Sequence, residues 1–269
     1  TRVRSSAASD VYKRQVVGII GTGLIGASIG LRARQLNWRV LGYDTDTSAA
    51  VQAQHRSAID EVADLESICD RSTIVVLAPH VNATLHELER IDRGRAKRPA
   101  LILDVASVKT PIVRAAEGLD NFIASHPMAG AERRGPDAAN DALFCERTWL
   151  YVPSGNRELD ERARRFIAAL GAFPVAVDAQ EHDAAVALTS HLPQMLSNLF
   201  AKRLNTHPKV QSIEPYCGPA ARELLRLSRS NPVMWNEIFQ ANHENVAAEL
   251  RALAHELLET ADALDRGRA

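Results

Sequence analysis

The 269-residue sequence lacks a block of like charge and any close spacing of its cysteines. Its formal net charge is −1, from 32 basic and 33 acidic residues, and such a balance indicates neither a nucleic acid nor a membrane surface as partner. Cys69, Cys145 and Cys217 form no CxxC pair, which argues against a disulfide framework or a zinc site and favours a reducing cytoplasm. The histidines show no HExxH motif or paired ligand spacing, so we expect no metal.

An uncharged stretch near the start resembles an export signal but lacks two of its defining parts. It runs from Val16 to Leu31 behind Lys13 and Arg14, contains five glycines and is followed by charged sequence without a small-residue cleavage site. It is also shorter than the roughly 20 residues of a membrane span. We therefore interpret it as the start of a folded domain, with export as the alternative.

Residues 1–15 fit none of the patterns that follow them. Their segment "SSAASDVYKRQ" resembles translated sequencing-adapter DNA more than a native leader. We expect residues 1–15 to be non-native or disordered.

From Val16 onward, short runs rich in β-branched residues alternate with helical patterns. The runs lie at 16–20, 39–44, 73–79, 100–106, 121–125, 148–153 and 173–178, and helical patterns lie at 24–36, 81–90 and 157–170. Several runs are apolar throughout, as in strands covered on both faces of a parallel sheet. The alternation predicts a Rossmann-like, doubly wound, mostly parallel α/β sheet over residues 16–180, forming a dinucleotide-binding domain.

Residues 181–269 show no convincing strand and are predicted to form an all-α domain. Apolar residues in the last predicted helix recur at spacings of 7, 4, 3, 4 and 7, at Phe239, Val246, Leu250, Leu253, Leu257 and Leu264. This heptad-like pattern is typical of a dimer seam or of a helix packed on its own domain. The first interpretation predicts a homodimer formed through the helical domain.

The first strand runs directly into a glycine motif. Gly21, Gly23 and Gly26 have GxGxxG spacing, with Leu24 and Ile25 at the start of the following helix. The first glycine permits a tight turn, the second lets a pyrophosphate approach, and the third allows close helix–strand packing. The helix N-terminus then offers amides and a positive dipole to phosphates.

Asp44 supports dinucleotide binding because it ends the second predicted strand, 18 residues after Gly26. An acid at this place accepts hydrogen bonds from ribose hydroxyls and repels a 2′-phosphate. The motif and Asp44 together predict NAD as cofactor, with NADP as the less favoured alternative. Asp46 is interpreted as a solvated loop acid.

Two polar residues follow predicted strands, where ligands of open parallel sheets bind. Ser107 is interpreted as a loop residue, because Thr110 with Pro111 behind it makes a better helix cap. Pro127 should hold His126 in extended backbone. An imidazole there can take a proton from an alcohol as hydride leaves, with a serine hydroxyl to orient it. A histidine caught in a turn is the alternative.

The segments "GTGLIGASIG", "DVASVK", "SHPMAGAERRG", "SHLP" and "LLRLSRSNPVMW" occur in an order that resembles the prephenate/arogenate dehydrogenase family of tyrosine biosynthesis. The resemblance extends from about Val16 to the C-terminus. It implies a nucleotide-binding α/β domain followed by a helical dimerisation domain. It also implies a cytoplasmic, NAD-dependent oxidative decarboxylation of prephenate, arogenate or both.

The resemblance assigns roles to individual positions. His126 matches the histidine that accepts the hydroxyl proton, and Ser107 matches the serine beside it. His191 matches a histidine near the substrate and cofactor, and Arg226 matches the arginine that binds a substrate carboxylate. From the residues alone, His191 is equally a core histidine and Arg226 a member of a solvated charge cluster.

Ala131 departs from the family pattern, since many relatives have a polar residue there, and this leaves the prephenate-versus-arogenate preference open. We expect no appended regulatory or mutase domain. One alternative function is a β-hydroxyacid dehydrogenase-like oxidoreductase, but Lys202 and Lys209 lack the glycine-rich setting of such a catalytic lysine. The other is a non-catalytic NAD-sensing protein, against which the joint presence of all four candidate site residues argues.

Overall fold

The structure is a computed structural model that describes residues 15–93, 99–130, 133–207 and 213–267. The expected leader, apart from Gln15, and Ala131 lie outside the described residues. The chain divides into two compact units, of which the first ends at Ala179 and the second begins at Gln180.

All strands of the described residues lie in the first unit. They are β1 (Val16–Ile20), β2 (Arg39–Tyr43), β3 (Glu61–Val62), β4 (Ile74–Leu77), β5 (Leu101–Asp104), β6 (Phe122–Ile123), β7 (Ser125–Pro127), β8 (Thr148–Tyr151) and β9 (Phe173–Ala176). The helices of this unit are α1 (Leu24–Gln35), α2 (Thr47–His55), α3 (Leu65–Arg71), α4 (Val81–Arg93), α5 (Thr110–Ala115) and α6 (Arg157–Ala169).

Six strands form a parallel sheet in the order β3-β2-β1-β4-β5-β6. The chain builds outward from β1 in one direction and then returns to build from β4 in the other. This reversal places the ends of β1 and β4 at a topological switch point, where doubly wound folds bind their ligands. The predicted fold class is confirmed, and the short strand β3 is an addition that the sequence did not indicate.

The central strands are held by apolar burial on both faces. Every residue of β4 and β5 is buried, and each buried Val, Leu or Ile side chain contributes about 1.5–3 kcal/mol relative to exposure. Helix α6 covers the sheet through Phe166, whose ring stacks on Trp38 at a centroid distance of 6.0 Å. The strands that lead to the switch point are therefore closely packed.

A second sheet has the order β7-β8-β9, with β7 antiparallel and β9 parallel to β8. The sequence predicted one strand over 121–125, but the structure splits it into β6 and β7. The pairing of β6 with β5 stops at Ile123, and Ala124 then accepts a hydrogen bond of 2.8 Å from the amide of Val152. His126 consequently lies inside β7, opposite Leu150, and not at the end of a strand of the parallel sheet.

The second unit is helical. Its α-helices and π-helical turn are α7 (Ala179–Val186), a π-helical turn (Ala187–His191), α8 (Leu192–Asn205), α9 (Pro219–Arg226), α10 (Pro232–Ala241) and α11 (His243–Asp265). Short 3₁₀ turns lie at Glu214–Tyr216 and Leu227–Arg229. The π-helical turn stands just before Pro193. In a regular α-helix the ring of Pro193 would clash with the carbonyl of Thr189, and a wider turn relieves that clash.

The predicted single last helix is wrong, because Asn242 separates α10 from α11. Phe239 lies in α10, and the rest of the heptad-like seam lies in α11. Val246 is buried, whereas Leu257 and Leu264 are 59% and 58% exposed. Among the described helices, none combines the length and the apolar character that a membrane span requires.

Candidate functional site

The glycine loop after β1 packs so closely that two of its glycines cannot carry a side chain. Gly21 has a φ of +92°, and a Cβ there would stand 2.6 Å from the backbone nitrogen of Pro79. A Cβ at Gly26 would overlap the carbonyl oxygen of Gly21 and lie 2.8 Å from Ile19. These two glycines bring the start of α1 against the ends of β1 and β4.

Gly23 is different, because its surroundings are open. Among the described residues, no atom would lie within 4 Å of a Cβ at Gly23, and its φ of −66° suits any residue. Gly23 is also the N-cap of α1, and in the described part of the chain no side chain caps it. An uncapped helix end beside open space is what a phosphate group needs.

Asp44 is held beside this loop by the loop itself. Its Oδ2 accepts hydrogen bonds from the amide of Thr22 at 2.7 Å and from the Thr22 hydroxyl at 3.1 Å. Its Oδ1 accepts from the amide of Asp46 at 3.0 Å. The carboxylate is thereby fixed at the end of β2 with lone pairs left for further donors.

Asp46 is exposed, as the sequence predicted for a solvated acid, but it also has a structural role. It caps α2, since its Oδ1 accepts from the amide and the hydroxyl of Ser48 at 3.0 and 2.6 Å. These hydrogen bonds lower the pKa of Asp46.

A buried ion pair stands at the end of β5. The side chains of Asp104 and Lys109 are both fully buried and in direct contact. The Asp104 carboxylate also accepts from the amides of Ala106 at 2.9 Å and Ser125 at 2.8 Å. Burial raises the pKa of Asp104, and Lys109 and the amides oppose that rise. All these partners donate, so the carboxyl group is held as an anion.

This pair fastens the first residue of β7 to the end of β5. Lys109 donates to the carbonyl oxygen of Ser125 at 2.6 Å, and the Ser125 hydroxyl donates to the carbonyl oxygen of Asp104 at 2.5 Å. Trp149 of β8 donates its indole N–H to the Ser125 hydroxyl at 3.0 Å. Ser125 is therefore held in place through both its backbone and its hydroxyl group. His126 is the next residue in the chain.

Ser107 and His126 share this anchor. Ser107 is half-buried in the loop between β5 and α5, three residues after Asp104 and two before Lys109. His126 is half-buried in the extended backbone of β7, which confirms the conformation predicted from Pro127. The predicted cap at Thr110 is wrong: Lys109 occupies the N-cap position, and the Thr110 hydroxyl donates to the carbonyl oxygen of Ala179 at 3.4 Å.

His191 lies in the second unit, at the end of the π-helical turn, and is 1% exposed. Its Nδ1 stands 3.1 Å from Nδ2 of Asn242, and its ring meets Trp235 edge-on at 5.9 Å. Burial is the main cause that lowers the pKa of His191 to about 4, with a smaller lowering from His182, while Asp183 acts in the opposite direction.

Arg226 ends α9 and is 48% exposed, with its Nε 3.2 Å from the Glu223 carboxylate. An exposed pair of this kind is weak, so the guanidinium could exchange it for a stronger carboxylate partner. The segment that carries Arg226 is tied to α8, because Gln194 donates to the carbonyl oxygen of Leu227 at 2.7 Å and Ser197 to that of Leu224 at 2.6 Å.

The sequence analysis did not identify the residues that hold the candidate site residues in place. These are chiefly Asp104, Lys109 and Ser125 in the first unit and Asn242 in the second unit. One signal was available for the first two, since an acid and a lysine interrupt an otherwise apolar strand and loop in "LILDVASVK". Charged residues in such a setting are seldom buried unless they are paired. Among the described residues, no group of three or more His, Cys, Asp or Glu side chains is placed to hold a metal ion.

Substitutions of Gly26 and Gly23 are expected to have opposite effects on stability and on NAD⁺ binding. Gly26→Ala should lower the free energy of unfolding by roughly 1–3 kcal/mol, because the loop backbone must move. Gly23→Ala should leave it within about 0.5 kcal/mol, yet weaken NAD⁺ binding at least about tenfold by filling the open space. Urea unfolding and calorimetric titration with NAD⁺ measure the two effects. Wild-type affinity in Gly23→Ala would show that the cofactor lies elsewhere.

His191 makes stability depend on pH. In the unfolded chain it takes up a proton below about pH 6.5, whereas its folded pKa of about 4 keeps it neutral. The unfolded state gains the proton first, so stability is fully present above pH 6.5 and falls by at most about 3 kcal/mol towards pH 4. Urea midpoints between pH 7 and pH 4.5 should show this fall in wild type and in His255→Gln, a variant of an exposed histidine, and a shallower one in His191→Gln. Equal slopes in all three proteins would contradict the assignment.

Comparison with known proteins gives the family. The family model described as "Prephenate dehydrogenase, nucleotide-binding domain" matches residues 27–174. A second family model, described as "Prephenate dehydrogenase, dimerization domain", matches residues 178–269. A prephenate dehydrogenase of Lactococcus lactis subsp. cremoris is 30% identical over 234 residues, which cover 84% of this chain and 64% of that protein. The chain thus spans slightly less than two thirds of that relative.

Solved structures that are similar to this one include those of two dehydrogenases. Prephenate dehydrogenase from A. aeolicus, in complex with hydroxyphenyl propionate and NAD⁺, superposes with a TM-score of 0.87 at 23% identity, covering 94% of this chain and 91% of that one. Synechocystis arogenate dehydrogenase gives a TM-score of 0.80 at 25% identity, covering 94% and 92%. With both family models matched in order along the chain, this protein belongs to the prephenate dehydrogenase family.

Proposed function

We propose that the protein catalyses the NAD-dependent oxidative decarboxylation of prephenate, arogenate or both, as a step of tyrosine biosynthesis. The observation that carries the proposal is the common anchor of Ser107 and His126. Ser107 lies three residues after Asp104 of the buried ion pair. His126 directly follows Ser125, which is hydrogen-bonded to both Asp104 and Lys109. A serine hydroxyl and an imidazole held on one rigid base can take up a proton in a fixed geometry.

The glycine loop and Asp44 fit a dinucleotide. The open space at Gly23 and the uncapped start of α1 would receive the pyrophosphate, next to Leu24 and Ile25. The carboxylate of Asp44 would accept hydrogen bonds from the ribose hydroxyls and repel a 2′-phosphate, which favours NAD over NADP. Bound NAD⁺ supplies the acceptor for the hydride.

His126 then has a defined task. It accepts the proton of the ring hydroxyl as the carbon–hydrogen bond beside that hydroxyl breaks, and Ser107 orients the reacting groups by hydrogen bonding. The bond to the ring carboxylate breaks, carbon dioxide leaves, and the bonding electrons make the ring aromatic. His126 returns its proton to the resulting phenolate oxygen, so no net proton is released.

The helical unit supplies residues for substrate binding. Arg226 would bind a substrate carboxylate, because a guanidinium forms two parallel hydrogen bonds to a carboxylate. His191 would contribute a hydrogen bond to the substrate.

We also propose a cytoplasmic homodimer that associates through the helical unit. Leu257, Leu258 and Leu264 of α11 are each more than half exposed, and a helix with such a face needs a partner for it. The described structure has Cys69, Cys145 and Cys217 as free thiols, which suits a reducing compartment.

The proposal predicts NADH formation at 340 nm with prephenate, arogenate or both. His126→Asn should lower turnover by about 10²–10⁴-fold, because the general base is lost, with NAD⁺ affinity unchanged. His55→Asn, which alters an exposed histidine at the end of α2, should turn over at the wild-type rate.

Two results would count against the proposal. Wild type that binds NAD⁺ but oxidises neither substrate would favour a β-hydroxyacid dehydrogenase-like or NAD-sensing protein. Wild-type turnover in His126→Asn would leave the proposed reaction standing but would show that His126 is not its general base.

A further inference from the structure

The side chain of Asn242 makes three hydrogen bonds in the interior of the helical unit. It lies between α10 and α11, is 4% exposed, and touches both the π-helical turn and α7. Its Nδ2 donates to the carbonyl oxygen of Asp183 at 2.7 Å, and its Oδ1 accepts from Asn245 at 2.8 Å. Of the residues in these contacts, His191 has an assigned role in the proposed function, whereas Asn242, Asp183 and Asn245 have none in it.

The contact with Asp183 identifies the atoms of the Asn242 amide. A backbone carbonyl oxygen can only accept a hydrogen bond, so the atom beside it must be the NH₂ group. The carboxamide therefore cannot be turned round without placing two acceptors against each other. The orientation of Asn242 follows from its surroundings and needs no further assumption.

The same NH₂ group stands 3.1 Å from Nδ1 of His191. Because it donates there too, Nδ1 of His191 must accept, and a neutral imidazole that accepts at Nδ1 carries its proton at Nε2. The contact thus selects one of two tautomers. It also disfavours the imidazolium, in which both nitrogens donate.

The surroundings of His191 agree with a neutral ring. The titratable groups that act on it are Asp183 and His182, and these are paired with each other, since Nδ1 of His182 lies 2.8 Å from Oδ1 of Asp183. Trp235 and Asn242 also contact the His191 ring, and both are uncharged. Burial in this setting keeps the pKa of His191 below the neutral range.

We propose that Asn242 is a positioning residue that presents His191 to the substrate as a neutral hydrogen-bond donor through Nε2–H. This role rests on the proposed function, in which His191 contacts the substrate. A ring fixed in this way can donate to a substrate oxygen but cannot accept a proton at Nδ1. The proton-accepting and hydrogen-bond-donating tasks are thereby divided between His126 and His191.

Nitrogen-15 NMR of the histidine-labelled protein tests the tautomer without any substrate. Wild-type His191, assigned by its loss in His191→Gln, should show a protonated Nε2 and an unprotonated Nδ1 at pH 7. Asn242→Asp replaces the donor with an acceptor, so its His191 should carry a proton at Nδ1. Asn205→Asp makes the same change at an exposed position of α8 and should leave the His191 spectrum unchanged.

Kinetics test the functional half of the proposal. Asn242→Asp should lower kcat/KM at least about tenfold, the scale of one lost hydrogen bond, while NAD⁺ affinity stays at the wild-type value. Asn205→Asp should match wild type.

A protonated Nδ1 in wild type would overturn the tautomer assignment, even if Asn242→Asp failed to fold. A changed tautomer with unchanged kcat/KM would overturn the donor role. If wild type bound NAD⁺ but formed no NADH, the proposed function and the donor role would both fail, while the spectrum would still decide the tautomer.

Discussion

The buried ion pair of Asp104 and Lys109 is the interaction on which the candidate catalytic residues depend. Two opposite charges without solvent are tolerated only when each is fully hydrogen-bonded, and breaking such a pair costs about 3–5 kcal/mol. Here both members of the pair also form hydrogen bonds to Ser125, at the start of β7. The loop that carries Ser107 and the strand that carries His126 are therefore both fixed to one junction, which consists of Asp104, Lys109 and Ser125. The main sheet fixes the junction, since Asp104 ends its buried strand β5.

In the helical unit, too, a buried polar side chain is held by hydrogen bonds, but the groups involved are neutral. Asn242 is buried with its amide nitrogen shared between Asp183 and His191, and any other arrangement leaves a buried polar atom unpaired. In both units, the residue expected to meet the substrate is held by a buried polar neighbour that does not meet it. Preorganisation of this kind lets an enzyme place a proton acceptor and a hydrogen-bond donor without rearrangement during the reaction.

Local patterns were enough to predict the parallel sheet, the glycine loop and Asp44, because they depend on short runs of sequence and fixed spacings. The second sheet was missed, because the division of 121–125 depends on hydrogen bonds to Asp104 and Val152, which are distant in sequence. The break between α10 and α11 was missed because the apolar spacing continues across Asn242. The ends of two predicted strands indicated Ser107 and His126, whereas the family resemblance was needed to single out His191 and Arg226. What holds His126 and His191 became visible only with the fold, since it depends on contacts between elements.

A double-mutant cycle on the buried ion pair tests the central claim most directly. Asp104→Asn and Lys109→Met should each lower the free energy of unfolding by about 3–5 kcal/mol, and the double variant should lose clearly less than the sum. At a temperature where all variants stay folded, each single variant should also lose turnover, because β7 is released from β5. Additive losses of stability together with wild-type turnover would contradict the account and leave His126 positioned by some other part of the structure.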